Sequence, residues 1–266
     1  MMLSLGFPAG SGVAGMTLLL VLLVPGSVDA ERETASLTGM DIGSRTMASA
    51  HAIRGNKATL SDWDYVGRWG LTSDVVVAVD GVGNRTFDCL AAPKGRRVGK
   101  AYVTKNFPAV TRGQVVEARA TYRILNAPKA GSLYLMDFEC RHCGPSAKAG
   151  LRVLLRNGRL QVNRSKLGLR DDFVSASVPQ IQVGKPFTLT VRLELGGRRG
   201  QTTVLVNDET ILDRVGINMP LQRVAEQFGL TLKQEQFDYV QFGITANSSR
   251  EKTRVLLSDV AIRTFK

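Results

Sequence analysis

The chain has 266 residues, with 35 Lys and Arg against 23 Asp and Glu and a formal net charge of +12. That length bounds the organisation to one large or two small domains, and the charge favours acidic partners: anionic polysaccharide, nucleic acid or a phospholipid surface. Gly81-Val82-Gly83 lacks the rest of a dinucleotide fingerprint and no P-loop occurs, so no nucleotide cofactor is expected.

Residues Val13 to Val24 are nearly all apolar and are closed by Pro25-Gly26, and Val28-Asp29-Ala30 then offers small residues suited to a signal peptidase. The apolar run is well short of the roughly 20 residues needed to cross a bilayer as a helix. Residues 1–30 are therefore expected to be a cleaved signal peptide, although no Lys or Arg precedes Arg32. The rest of the protein would then be secreted or periplasmic, with no membrane span after cleavage. Residues 31–60 are polar, without apolar period, and read as a flexible lead-in.

From residue 61 to 266 the pattern changes to short alternating runs. Trp63, Tyr65 and Trp69 open it, either as a stacking platform for sugar rings or as packing. In Val115 to Ile124, Val116, Ala118, Ala120, Tyr122 and Ile124 share one face, and Glu117, Arg119, Thr121 and Arg123 the other. In Leu133 to Cys140, strict alternation sets Tyr134, Met136, Phe138 and Cys140 against Leu133, Leu135, Asp137 and Glu139. Leu151, Val153 and Leu155 alternate with Arg152, Leu154 and Arg156, and Asn157-Gly158 then predicts a tight hairpin. Phe187 to Leu195 alternates likewise, and Asn207-Asp208 marks another turn. Leu221, Val224, Ala225 and Phe228 carry the one helical period, ending before Gly229. Val240, Phe242, Ile244 and Ala246 oppose Tyr239, Gln241, Gly243 and Thr245, and the last run is expected to bury Leu256, Val260 and Ile262.

A side-chain period of two means half-buried antiparallel strands. The predicted fold is therefore all-β: an antiparallel β-sandwich, or jelly roll, with one short helix insertion. Of the three cysteines, Cys140 and Cys143 are expected to close a small structural disulfide, although Cys89 is an alternative partner and the spacing also suits zinc or redox chemistry.

Strand order and register over Trp63 to Lys266, including the late pair Phe237–Ala246 and Val255–Phe265, resemble the concanavalin A-like jelly roll of legume-type lectins, laminin G-like modules, laminarinase-type glucanases and several polysaccharide lyases. That frame hosts enzymes and binders alike. Its glucanases carry E-x-D-x-E on one strand, whereas the similar segment here is Leu135-Met136-Asp137-Phe138-Glu139. The resemblance supplies the last two acids but no carboxylate at the nucleophile position. Alginate-lyase-type members carry R-T/S-E-L-R, Q-I/V-H and Y-F-K-A-G-V/I-Y-N-Q. Glu117-Ala118-Arg119 is similar to the first, with Val115 at its leading Arg. Tyr239-Val240-Gln241-Phe242-Gly243-Ile244 is similar to the third, with Thr245 where the catalytic Tyr stands, and the second is absent.

The polar rows of these strands form the candidate ligand surface: Glu117, Arg119, Arg123, Asp137, Glu139, Arg152, Arg156, Tyr239, Gln241 and Thr245. On one sheet they would make a groove in which Arg forks grip carboxylates or sulfates. His142, Glu139 and Tyr239 are the candidates for acid–base chemistry. Asp259 is the candidate for Ca2+, a cofactor that nothing in the sequence requires. The expected function is an exported module that recognises an anionic polysaccharide or oligosaccharide. A lyase acting on a uronate-containing glycan is the alternative, and a non-catalytic structural or protein-binding role a third.

Overall fold

The computed structural model describes residues 45–53, 59–79, 83–126, 130–141, 143–144, 149–175 and 178–266. The predicted signal peptide and His142 lie outside the described residues. In chain order the strands begin with β1 (Met47–Ile53), β2 (Tyr65–Trp69), β3 (Asp74–Val79), β4 (Arg85–Ala91) and β5 (Gly99–Val110). They continue with β6 (Val115–Asn126), β7 (Ser132–Glu139), β8 (Gly150–Arg156), β9 (Arg159–Asn163) and β10 (Pro186–Glu194). β11 (Gln201–Val206), β12 (Glu209–Val215), β13 (Phe237–Asn247) and β14 (Thr253–Phe265) complete the set among the described residues, which also include one short helix, α1 (Gln222–Ala225), before β13.

These strands form two antiparallel sheets, the all-β sandwich that alternation predicts. The larger runs β12-β11-β10-β6-β14-β4-β3, with β1 also paired to β14, and the smaller runs β2-β5-β13-β7-β8-β9. Between them lie Val116, Ala118, Ala120, Tyr122 and Ile124 of β6, facing Val103, Met136, Phe138, Val240, Phe242 and Ile244 of the smaller sheet, all buried. Trp63 belongs to this core, edge-on to Phe87 and Phe242. The turns follow local chemistry. Asn157 and Gly158, and Asn207 and Asp208, all have positive φ, the condition for the two-residue hairpins that match strand twist. Past α1, a 3-10 turn over Glu226–Phe228 ends on Gly229 at φ 65°, a left-handed cap.

Strict alternation is broken by bulges in β7 and β14. In β7, Tyr134 pairs with Leu154 and Met136 with Val153, so Leu135 is an extra residue. It moves Tyr134 to the outer face beside Asp137 and Glu139, leaving Leu133, Leu135, Met136 and Phe138 buried. In β14 the register shifts around Asp259, whose φ is 50°. Val255 and Leu257 point inward before it and Val260 and Ile262 after it, so Leu256, expected inside, is only half-buried. β13 bulges between Gly243 and Asn247 against both neighbours. A bulge frees backbone groups from the ladder, and here Tyr122 reaches across the core to donate its hydroxyl to the Leu135 carbonyl at 2.8 Å. Tyr122→Phe leaves that carbonyl unsatisfied and is expected to cost about 1–3 kcal/mol in urea unfolding; an unchanged midpoint would show that the bulge needs no such brace.

Within the stretch read as lead-in, β1 pairs with β14. Met47, Ala48, Ala50 and Ala52 are exposed, so this strand is held by backbone bonds and has no apolar row to announce it. Cys140 and Cys143 form the disulfide, with Cα atoms 5.4 Å apart, and Cys89 is a free, buried thiol. Among the described residues no helix is long and apolar enough to cross a membrane.

Candidate functional site

The outer face of the smaller sheet carries one polar row across all six strands. Tyr65 on β2, Thr104 on β5, Gln241 on β13, Asp137 on β7, Arg152 on β8 and Asn163 on β9 stand opposite one another in register. The next row holds Asn106, Tyr239, Glu139 and Gly150. Gly150 is required there: a Cβ would lie 2.9 Å from the Glu139 side chain and 2.5 Å from the Phe138 carbonyl.

At the centre, Asp137 and Glu139 are almost wholly buried. Lys166, on a 3-10 turn after β9 (Ser165–Leu167), reaches both: its ammonium donates to Asp137 at 3.1 Å and to Glu139. Thr245 donates to the other Asp137 oxygen at 2.7 Å, and the Tyr239 hydroxyl donates to the other Glu139 oxygen. Two buried carboxylates thus share one cation and two hydroxyls, the pairing that buried charge demands. Burial pulls the Lys166 pKa down, but Asp137 and Glu139 outweigh it and the net shift is upward. Burial, then the adjacent Glu139, pushes the Tyr239 pKa well above the usual tyrosine range. Lys166 is therefore an ammonium and Tyr239 a neutral phenol near pH 7.

Beside this cluster lies a cavity of about 340 Å³ walled by Asp64, Tyr65, Tyr102, Thr104, Arg141, Tyr239 and Gln241, and Asp64 is itself 3.8 Å from Lys105. Gln241 hydrogen-bonds Tyr102, whose pKa is raised chiefly by burial. The Thr104 hydroxyl is buried there without a partner. Arg141 lies over the Tyr239 ring, 5.3 Å from its centroid, and donates to Asn106 at 2.8 Å. Tyr65, half-exposed, tilts against Tyr102 with centroids 6.1 Å apart.

The structure brings together Asp137, Glu139, Tyr239, Gln241 and Thr245 of the expected surface. Arg152 is on the same face but is held by Asn163 at 2.8 Å and Ser165 at 2.9 Å and stacked on Tyr134. Arg156, further along, donates to Ser132 at 3.0 Å. Glu117, Arg119 and Arg123 do not join them: β6 belongs to the larger sheet, and its polar row faces away on the other side of the sandwich. There Glu117 lies 3.9 Å from Arg263, Arg119 pairs with Asp208 at 2.7 Å, and Arg123 donates to the Gly184 carbonyl. The single-groove expectation is corrected accordingly, because alternation tells two faces of a strand apart but not which sheet the strand enters. Leu135, at the absent nucleophile position, is turned into the core by the bulge. Asp259 accepts from Ser258 at 2.9 Å, and among the described residues no three His, Cys, Asp or Glu side chains converge as a metal set.

Lys166, Tyr102, Thr104 and Arg141 went unread in the sequence. Lys166 sits in a turn whose approach to β7 no local pattern encodes. Arg141 was visible only as the residue after Cys140, and Tyr102 and Thr104 only as the polar alternates of β5.

No protein-family model and no curated protein matches the sequence. Among solved structures the chain is similar to the alginate lyase Aly36B, with 12% identity and a TM-score of 0.53 over 82% of this chain and 97% of that one. It is also similar to a cellulose-induced protein, Cip1, with 16% identity and a TM-score of 0.55 over 80% of this chain and 96% of that one. At these identities the likeness is one of fold: an all-β sandwich remotely similar to jelly-roll polysaccharide lyases.

Proposed function

We propose that the chain is an exported carbohydrate-binding module and that the outer face of its smaller sheet takes an anionic polysaccharide. The observation that carries this reading is the cavity in which the exposed Tyr65 ring stands beside the buried Tyr102, with the Arg141 guanidinium at its rim and Asp64 in its wall. Aromatic rings offer flat apolar area to the faces of sugars, an Arg fork matches a carboxylate, and the unpartnered Thr104 hydroxyl and Gln241 amide suit sugar hydroxyls. The surplus of positive charge supports an acidic polymer over a neutral one. The names of the two similar structures, a lyase of alginate and a protein induced by cellulose, support a carbohydrate ligand in general. Export is supported by the apolar N-terminal run and by the disulfide.

A second reading, cleavage of a uronate-containing glycan by β-elimination, is favoured by the contact of Tyr239, Glu139 and Lys166. In that reaction a base removes the proton beside the carboxylate, the electron pair forms a carbon–carbon double bond, the glycosidic C–O bond breaks, and the leaving oxygen takes a proton. Neutral Tyr239 suits the last step and the Lys166 ammonium suits the developing negative charge. A base is harder to assign from this cluster: Lys166 is held protonated, and both Glu139 oxygens already accept hydrogen bonds. Binding is therefore the first reading.

Both are tested by titrating the protein with alginate, polygalacturonate and a neutral β-glucan while following ultraviolet absorbance. The acidic polymers are expected to bind and the neutral one not, with affinity falling as salt rises. Arg141→Ala should weaken binding about tenfold, on the order of 1.4 kcal/mol, and Tyr65→Ala comparably. Preference for the neutral glucan, or full affinity in both variants, would remove the cavity from consideration; absorbance rising with time would establish the lyase.

A further inference from the structure

Resting on that reading, we infer that the bound polyanion continues from the cavity along β2 and β5 into a basic groove at the β4–β5 loop, so that the protein recognises a run of consecutive acidic sugars. The path starts from a local pattern in two paired edge-side strands. Tyr65, Gly67 and Trp69 of β2 stand opposite Thr104, Tyr102 and Lys100 of β5 on the outer face. Gly67 leaves a gap that the Tyr102 ring occupies: a Cβ on Gly67 would lie 2.3 Å from that ring. Tyr65 packs against Tyr102, and the Lys100 ammonium lies 5.8 Å from the Tyr102 ring and 5.5 Å from the Trp69 ring. Three rings, the last two bridged by one ammonium, therefore run from the cavity toward the strand end, about 13 Å from Tyr65 to Trp69 at the rise of an extended strand.

Trp69 then enters the wall of a second, larger hollow of about 1080 Å³, shared with Arg68, Arg96, Arg97 and Lys252. None of the residues lining it is acidic. Arg68 is paired with Asp74 on the neighbouring sheet, whereas Arg96, Arg97 and Lys252 are exposed and form no ion pair among the described residues. Tyr102 is buried in this row, whereas Tyr65 and Trp69 at its two ends are exposed. Trp63 fills the core, while Trp69 is 43% exposed on an edge strand. An exposed Trp with cations alongside costs solubility and, in a trough rather than on a projecting tip, suits a sugar ring flanked by acidic groups. Alternating ring and cation along a shallow line matches a polymer whose every unit carries both a ring and a charge.

The test measures affinity for alginate oligomers of increasing length, in wild type, in Trp69→Ala and in the double variant Arg96→Ala/Arg97→Ala. All three substituted side chains are exposed, and a retained urea midpoint confirms that the fold is intact. Wild-type affinity is expected to rise with length beyond what the cavity alone holds. In both variants that rise should flatten, leaving the longest oligomers about tenfold weaker and their salt dependence shallower. Identical length profiles in wild type and variants would overturn the extended path while leaving the cavity reading intact. Flattened profiles together with full affinity in Arg141→Ala would keep the groove and sink the cavity. Absence of oligomer binding in wild type overturns both, and a loss seen only with anionic phospholipid vesicles reassigns the groove to a membrane surface.

Discussion

Lys166→Met is expected to destabilise the domain by about 3–5 kcal/mol near neutral pH, the cost of breaking a buried ion pair by removing one partner. The size of the effect comes from the geometry around the ammonium. Asp137 and Glu139 are both nearly inaccessible, and Lys166 is the cation in contact with each. Thr245 and Tyr239 would still donate to them, but two hydroxyls do not neutralise two neighbouring negative charges. Lys166→Arg keeps the charge and should recover part of the stability. Urea unfolding of the three proteins at several pH values measures all of this; a Met variant as stable as wild type would mean that the cluster is not held by Lys166.

The same group sets the alkaline limit of the wild type. Its pKa is higher folded than unfolded, so its contribution is fully present below the ordinary lysine range and is lost as pH climbs through the raised value. Tyr102, Tyr122 and Tyr239, each raised mainly by burial, act in the same sense. The unfolded chain releases these protons first, so unfolding is increasingly favoured from the ordinary tyrosine range upward. Stability should therefore decline steeply in strong alkali, and less steeply in Lys166→Met.

Gly243→Ala is the second substitution expected to have a large effect, about 2–3 kcal/mol together with loss of ligand binding. Gly243 lies in the middle of β13 with φ 111°, and a Cβ there would meet the Ala101 carbonyl at 2.9 Å and the Cys89 sulfur at 3.0 Å. Backbone strain and collision therefore add. It also lies within the stretch of β13 that shifts register against β7, between Tyr239 and Gln241 on one side and Thr245 on the other. Gly184→Ala supplies the comparison: its φ is 82° but nothing lies within 4 Å of the added carbon, so only the conformational penalty of about 1 kcal/mol applies. Equal losses in the two variants would show that the close approach at Gly243 carries no weight.

The inward row of β6, the hairpin at Asn157-Gly158 and the helix stop at Gly229 are all legible in the amino-acid order, because each is written in residues close together along the chain. Side chains two apart share a face, and an Asn-Gly pair between two alternating runs makes a tight turn. The outward acids Asp137 and Glu139 and the row Tyr239 and Gln241 are legible for the same reason. Beyond that reach the pattern misleads. Glu117 and Arg119 alternate as cleanly as Asp137 and Glu139, yet β6 pairs with β10 and β14 and so carries them to the opposite surface. The bulges at Leu135 and Asp259 reverse which alternate residues face the core, and the first is braced by Tyr122, contributed by the other sheet.

What the chain's residues determined by themselves, then, was an all-β sandwich, its turns and the polar or apolar character of each strand face, since these follow from steric and hydrophobic preferences acting over a few residues. Which faces meet was decided only in three dimensions. Lys166 comes to Asp137 and Glu139 from 29 and 27 positions away, and Tyr239 reaches Glu139 across 100. Contacts at such separations depend on the sheet that each strand joins and on its register, and local preference carries no information about either.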